Sequence, residues 1–363
     1  MVQGAEYTQG IYTYKYKQGA YYNNENILSW ANRNTDGWGV ILTDKESTAP
    51  VTAAPCVTIN NKPVIYYENM FSRSKTSSIN IPNINTSKVI RMDSMFNESK
   101  ATTINVSNFD TSKVNNFSFM FGDTQATTID VSNFNTSNVT SMSTMFIESK
   151  VTTLDVSEFN TSKVTSMFYM FARTQTAKLD VSNFNTSSVT NMRGMFNGSK
   201  SLTIDVSNFD TSNVTDMSYM FGVTQAATID VSNFDTSKVT DKSFMFSETK
   251  APTLNLSKFN TSNVTNMSYM FLSSQITSLD LSSFNTSNVT NTKKMFSSAT
   301  KLKTIYVSNK FTTNNITTSD EMFKNVTNIV GGSGTKYNSS YIDKTYARID
   351  GGTSSPGYFT LKN

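Results

Sequence analysis

Six aspartates that recur in a fixed context are the residues best suited to chemistry in this chain. They lie 25 residues apart, with one step of 50, and a serine stands two positions after each. Two carboxylates that flank one bond can hydrolyse a glycoside, and carboxylate and hydroxyl oxygens are the ligands that calcium prefers. A regular line of acids contains no distinctive pair and no glycine-rich calcium loop, so we predict a polar binding strip. Its candidate residues are Asp130, Asp155, Asp180, Asp205, Asp230 and Asp280 with Ser132, Ser157, Ser182 and Ser207.

This strip has two interpretations. Carboxylates about 4.8 Å apart on neighbouring strands repel one another. In the first interpretation, hydrogen bonds from serine and threonine hydroxyls, together with solvent, offset the repulsion. In the second, the strip binds a cation, a glycan or a protein strand. The sequence leaves both open.

Most other catalytic residue types are scarce. The 363 residues include no histidine and one cysteine, Cys56. This excludes a Ser-His-Asp or Cys-His arrangement, an internal disulfide and a thiolate zinc site. We predict that the chain is not an enzyme, holds no metal or cofactor, and buries Cys56 as a small apolar side chain.

Charge and hydropathy exclude further classes. The net charge of +4 comes without a strongly basic run, so we expect no nucleic-acid partner. No stretch approaches the roughly 18 apolar residues of a membrane-spanning helix, and no secretory signal is visible at the N-terminus.

The elements that position the aspartates repeat with the same period. A Met-Phe pair recurs every 25 residues, and a last pair follows after a two-residue insertion. Thioether sulfur could serve a haem or soft metal, but a pair in every repeat favours core packing. The phenylalanines are Phe71, Phe96, Phe121, Phe146, Phe171, Phe196, Phe221, Phe246, Phe271, Phe296 and Phe323.

One repeat, 151–171, illustrates the predicted structure. Its first residues alternate apolar and polar, as in a strand with one buried face, and Asn, Thr and Ser then favour a turn. Val164, Met167 and Met170 have the spacing of a short helix, and Gly or Asn after Met-Phe, as in Gly122, suits a left-handed helix end. We predict a leucine-rich-repeat-like solenoid, with a parallel β-strand and a short helix in each of about ten 25-residue rungs.

Three segments follow from this pattern. The repeat solenoid covers 61–323, and 324–363 is predicted as a C-terminal cap. Residues 1–60 are rich in aromatic side chains and are predicted as an N-terminal cap or an attachment segment. Those side chains are Tyr7, Tyr12, Tyr14, Tyr16, Tyr21, Tyr22, Trp30 and Trp38.

The repeat, as in LDVSEFNTSKVTSMFYMF and LNLSKFNTSNVTNMSYMF, resembles that of BspA-like bacterial leucine-rich-repeat surface proteins over about 64–323. Phe117, Lys242 and Thr292 depart from it at the first Met of the predicted helix, and Ile84 replaces a Phe. The resemblance implies a surface-exposed protein with a role in adhesion or host interaction and no enzymatic activity.

We therefore expect a non-enzymatic binding and adhesion protein, displayed outside the cell, whose partner is a protein or glycan on a cell surface. Self-association is a further expectation. The alternative is a structural or host-recognition protein of a phage virion or tail. An ice-binding solenoid is disfavoured, because the threonines lie in turns and before strands rather than on a flat face.

Overall fold

The computed structural model describes residues 6–9, 14–18 and 37–362, and its fold is a parallel β-solenoid of about ten turns. The chain divides into two compact units. Unit 1 comprises 1–164 and 173–179, and unit 2 comprises 165–172 and 180–363. The solenoid and its parallel strands confirm the predicted repeat architecture. Four of the aromatic residues predicted to cap the N-terminus lie outside the described residues: Tyr12, Tyr21, Tyr22 and Trp30.

Strands in unit 1 form two sheets. The first is five-stranded, with order β1-β2-β3-β5-β4, and the second is a parallel pair, β6 with β7. The bounds are β1 Glu6–Gln9, β2 Tyr14–Gln18, β3 Trp38–Leu42, β4 Thr58–Ile59, β5 Lys62–Tyr66, β6 Ser78–Asn80 and β7 Thr103–Asn105.

In unit 2, β8 pairs in parallel with β9, and β10, β11 and β12 form a three-stranded parallel sheet. The bounds are β8 Thr203–Ile204, β9 Thr228–Ile229, β10 Ser278–Leu281, β11 Thr304–Val307 and β12 Phe359–Leu361, with short 3-10 helices at Lys344–Tyr346 and Gly352–Ser354. Among the described residues, no helix is long and apolar enough to cross a membrane.

Single-residue bridges continue the parallel register where the strands are too short to be continuous. In unit 1, Arg91 pairs with Asn116 and Asn116 with Ser141; unit 2 repeats the pattern from Asn191 to Asp216 onward. The partners are one repeat apart, so each rung lies directly beside the next.

The Met-Phe pairs form the core, as predicted. Their side chains are fully buried at every repeat. The rings stack along the solenoid, with centroids 5.5 Å apart from Phe71 to Phe96 in unit 1 and 5.8 Å apart from Phe221 to Phe246 in unit 2. Stacked rings at this separation are offset, which is a favourable geometry for aromatic pairs.

The predicted short helix is replaced by hydrogen-bonded turns. Within 92–99, alternate N–H groups donate to the carbonyl three residues earlier, at 3.1 to 3.2 Å (Met95 to Met92, Asn97 to Ser94, Ser99 to Phe96). The N–H groups between them donate to the next rung at 2.8 to 3.3 Å (Met92 to Asn116, Ser94 to Ser118, Phe96 to Met120, Glu98 to Gly122). We call this eight-residue segment, together with the corresponding segments of the other rungs, the turn ribbon.

Rung spacing explains why a helix does not form. Side-by-side α-helices need about 8–10 Å between axes, whereas the rings of Phe96 and Phe121 are 5.4 Å apart. A helix would also use its N–H groups internally and leave none for the neighbouring rung. The turn ribbon fits the close spacing of the rungs and leaves alternate N–H groups free to bond to the neighbouring rung.

The left-handed residues also differ from the prediction. They lie two positions before and two positions after each core Phe, as at Ser94 (φ 57°) and Glu98 (φ 57°) around Phe96. The residue directly after the Phe, such as Gly122, is not left-handed. In a type II turn the third residue has positive φ, and Ser94 and Glu98 are the third residues of the turns 92–95 and 96–99.

Aromatic side chains cover the ends of the Phe stacks. In unit 1, buried Tyr14 packs edge-on against Phe71 at 6.3 Å, and in unit 2 Tyr358 packs against Phe323 at 5.0 Å. These contacts suit segments that close a solenoid core. Cys56 is half-buried rather than fully buried as predicted.

Asp350 organises the C-terminal segment. Its carboxylate accepts hydrogen bonds from the backbone N–H groups of Ser333 (2.8 Å), Thr335 (3.0 Å) and Gly352 (3.0 Å), and from the Thr335 hydroxyl (2.7 Å). Burial alone would raise the pKa of Asp350, but these hydrogen bonds outweigh it and lower the pKa to about 2. The segment therefore closes around a fixed negative charge.

Lys242 places an amine in the apolar core. It occupies the place of Met217 and Met267 in the adjacent repeats and is fully buried. Its Nζ lies 5.1 Å from the centre of the Phe259 ring and has no hydrogen-bond partner among the described residues. Burial lowers the pKa of Lys242 to about 7, because a charge without a partner is poorly solvated there.

Candidate binding surfaces

The predicted strip forms an exposed ladder on each unit. Asp130 and Asp155 lie on unit 1, and Asp180, Asp205 and Asp230 lie on unit 2; all five are exposed. Asp280, also on unit 2, is half-buried and contacts Lys362. We call the six residues the aspartate ladder.

Each ladder carboxylate folds onto its own backbone. Oδ1 of Asp130 accepts the Ser132 N–H at 3.0 Å and the Ser132 hydroxyl at 2.6 Å. The serine N–H makes the same bond to the other five aspartates at 3.0 to 3.1 Å, and the hydroxyls of Ser157, Ser182 and Ser207 donate at 2.6 to 2.7 Å. The serine hydrogen bonds of the first interpretation are thus present, and they form Asx turns.

Hydrogen bonds lower the pKa of three of these carboxylates, those of Asp130, Asp230 and Asp280. The hydroxyl and then the N–H of Ser132 lower the pKa of Asp130, and Ser232 does the same for the pKa of Asp230. For Asp280, burial opposes the shift, but hydrogen bonds from Lys362 and Ser282 lower its pKa overall. Groups held in the anionic form suit attraction of a partner rather than proton donation.

The turn itself does not require the charge. Asn105 and Asn255 occupy the same position in other rungs and accept the same two bonds from Ser107 and Ser257, at 2.7 to 3.2 Å. The fold therefore explains an Asx side chain at this position, and the turn by itself does not require the negative charge of an aspartate.

Sequence reasoning missed a second set of contacts. The threonine of each Asn-Thr-Ser or Asp-Thr-Ser triplet is buried, and its hydroxyl donates to a carbonyl of the next rung (Thr136 to Asn160, 3.0 Å; Thr211 to Asp235, 2.8 Å). The acceptor lies 24 residues away in sequence, so local turn propensity alone does not reveal it.

The turn ribbon carries a different kind of surface. We call the side chains at the third and second positions before each core Phe, and at the two positions after it, the turn face. The second position before Phe is left-handed in eleven rungs, with φ between 48° and 61°, although only one of the eleven residues is glycine: Asn69, Ser94, Phe119, Thr144, Tyr169, Gly194, Tyr219, Phe244, Tyr269, Lys294 and Glu321. A left-handed residue with a side chain costs roughly 1 kcal/mol, and Gly194 shows that the position accepts glycine.

Aromatic residues concentrate on the turn face of unit 2. The Tyr219 and Phe244 rings stack at 4.4 Å, and the Phe244 and Tyr269 rings at 4.3 Å, within 9° of parallel. All three are half-buried. The Arg193 guanidinium lies 5.3 Å from the centre of the Tyr219 ring and 3.9 Å from the Asp216 carboxylate. We call Tyr219, Phe244 and Tyr269 the aromatic column.

No group of three His, Cys, Asp or Glu side chains in the described part of the chain has the arrangement of a metal site. The two surfaces differ in kind: the aspartate ladder is repetitive and anionic, and the turn face is variable and carries the aromatic column.

Comparison with known proteins gives a family. The model of the family described as Mycoplasma protein of unknown function, DUF285, matches residues 65–180, 165–278 and 223–333. No curated protein and no solved structure matches the chain. The three matches together span 65–333, well over half of the sequence, and the chain belongs to this DUF285 family.

Proposed function

We propose that the chain is a binding and adhesion protein, displayed at a cell surface, that presents its solenoid faces to a protein or glycan on another surface. Within the DUF285 family, we further propose that the repeat is of the BspA-like leucine-rich type, on the sequence resemblance given above.

One observation carries the proposal. Six exposed or half-exposed aspartates hold a negative charge that their Asx turns do not need, because asparagine makes the same turn in other rungs. A negative charge that the turn does not require, repeated from rung to rung, suits long-range attraction of a partner.

The first test is direct binding. Fluorescent beads coated with the whole purified chain are added to cultured epithelial cells, with uncoated beads as the reference. The proposal predicts saturable adhesion. If coated and uncoated beads bind equally, the adhesion function is wrong.

The second test removes the ladder charge without removing the turn. In the variant Asp130→Asn, Asp205→Asn, Asp230→Asn, the Asx turns persist, as at Asn105, so the melting temperature stays within about 2 °C. We expect severalfold weaker adhesion and a smaller dependence on salt, because surface charges act mainly on the association rate. Unchanged adhesion would show that the ladder is not a contact surface.

A further inference from the structure

We propose that the turn face of unit 2, centred on the aromatic column and Arg193, binds a folded protein. This inference rests on the proposed adhesion function and names the partner class and the surface for it.

Variation between rungs is the first argument. Positions that build the core hardly change: Val214, Val239 and Val264 stand at one position of successive rungs, and the same position is valine throughout 89–289. By contrast, the left-handed position before the core Phe carries eight residue types, from Gly to Lys to Tyr. The fold therefore fixes the core and leaves the turn face free to differ.

Backbone conformation is the second argument. Tyr219, Phe244 and Tyr269 have φ values of 56° to 61°, and Val223, which is β-branched and 39% exposed, has φ 59°. Bulky and β-branched side chains are rarely found in this region. The aromatic rings gain stacking contacts, but Val223 projects into solvent on the same face. Side chains that the fold disfavours and leaves half-exposed are better explained by an external contact.

The chemistry of the patch suits a protein surface. Tyr, Phe and Arg are enriched in protein interfaces, and Tyr and Arg supply a large share of binding hot spots. Here an arginine lies over the end of a tyrosine and phenylalanine stack, and the turn face of the same unit also carries the exposed Val223 and the half-buried Leu272. The rings are already ordered by stacking, which lowers the entropy lost on binding.

The absence of a regular repeat on the turn face favours a folded protein over a polysaccharide as the partner. A chain of identical sugars would match a surface that repeats at every rung, such as the aspartate ladder. The turn face does not repeat: from rung to rung the left-handed residue changes from Gly194 to Tyr219, Phe244, Tyr269 and Lys294. An aperiodic surface complements an aperiodic partner, and a folded protein provides one.

The test variant removes the aromatic column and keeps the backbone. Asparagine tolerates positive φ and already occupies a left-handed turn-ribbon position at Asn325 (φ 61°), so Tyr219→Asn, Phe244→Asn, Tyr269→Asn should fold. The matched control is Lys200→Gln, Lys250→Gln, at exposed loop positions where Gln175, Gln225 and Gln275 stand in alternate repeats. Circular dichroism melts check that both variants fold.

The readout is the bead adhesion assay on epithelial cells that are untreated, trypsin-treated or periodate-treated. We expect at least 100-fold weaker adhesion for the aromatic variant, wild-type adhesion for the lysine control, and loss of adhesion after trypsin but not after periodate. A folded aromatic variant that adheres like the wild type overturns the inference while the adhesion function stands. Loss after periodate alone identifies a glycan partner and also overturns it. A wild-type chain that does not adhere refutes the adhesion function together with this inference.

Discussion

Replacing Lys242 with Met should stabilise the protein, and by an amount that depends on pH. The buried amine has a pKa of about 7, against an ordinary value of 10.5. Because the unfolded chain binds the proton more tightly, the native state loses stability as the pH falls from 10.5 towards 7, and the loss is complete below the folded pKa. The stability lost through this titration is about 4 kcal/mol at pH 7 and about 1.5 kcal/mol at pH 9.5.

Methionine removes the titration and continues the thioether column formed with Met217 and Met267. We expect the free energy of unfolding of Lys242→Met to exceed that of the wild type by about 4 kcal/mol at pH 7. At pH 9.5 this excess should be smaller by about 2–3 kcal/mol. The assay is guanidinium denaturation of both proteins at pH 7, 8, 9 and 9.5. The difference between the two proteins isolates Lys242 from the other titrating groups.

Thr292→Met is the matched control. Thr292 is also fully buried and replaces a Met at the corresponding position of its rung, but it does not titrate. Its stability difference from the wild type should not change with pH. If Lys242→Met gives a difference that is small and constant across this range, then Nζ reaches water or a partner, and the reasoning from an unsolvated amine is wrong.

Three further predictions concern hydrogen bonds. Asp350→Asn should lower the free energy of unfolding by about 2 kcal/mol at pH 7, because the wild-type carboxyl has a pKa of about 2, below its ordinary 3.8. In acid titration of the wild type, this stabilisation is complete above about pH 4 and disappears as the pH falls through 2. Thr211→Val should lower the free energy of unfolding by about 1–2 kcal/mol, because the Asp235 carbonyl loses a donor, and Thr211→Ser should lower it less. Asp205→Ala should cost about 1 kcal/mol, since it removes the Asx turn, whereas Asp205→Asn should be nearly neutral by chemical denaturation.

Each result has an outcome that contradicts it. An Asp350→Asn variant as stable as the wild type at pH 7 would mean that the C-terminal segment does not depend on the charge. Equal stability of Thr211→Val and Thr211→Ser would show that the hydroxyl bond is weak. Equal losses from Ala and Asn at position 205 would indicate that the charge, rather than the turn, stabilises the ladder.

The sequence predicted the solenoid because its core residues recur at an invariant spacing. Val164, Met167, Met170 and Phe171 also identified which side chains are buried, and they are. The same spacing suggested a helix, but the turn ribbon places these side chains inward as well, so periodicity alone does not distinguish the two. The deciding factor is the separation between rungs, which is a property of the stack and not of one repeat.

The contacts that the sequence did not predict are those between residues of different rungs. The aspartate ladder was predicted as exposed, and hydrogen bonds from serine hydroxyls were one of its two interpretations, since that contact is local. The buried role of Thr211 was not predicted, because its acceptor on Asp235 is distant in sequence. The aromatic column was not singled out, because Tyr219, Phe244 and Tyr269 meet only when successive rungs are stacked.

Alternation of amide donors in the turn ribbon restricts how such a chain can change length. Deleting one residue from the turn ribbon would reverse the direction in which each later N–H group of that rung points. The hydrogen bonds within the rung and those to the next rung would then be lost together. The two extra residues of the last repeat lie outside the turn ribbon. The sequence separation of paired residues rises from 25 to 26 between β10 and β11 and to 27 between Asn291 and Thr318, before the ribbon begins. Gain or loss of sequence is thus tolerated in loops or as complete 25-residue blocks, which offers a simple route by which copies accumulate while the outer side chains diversify.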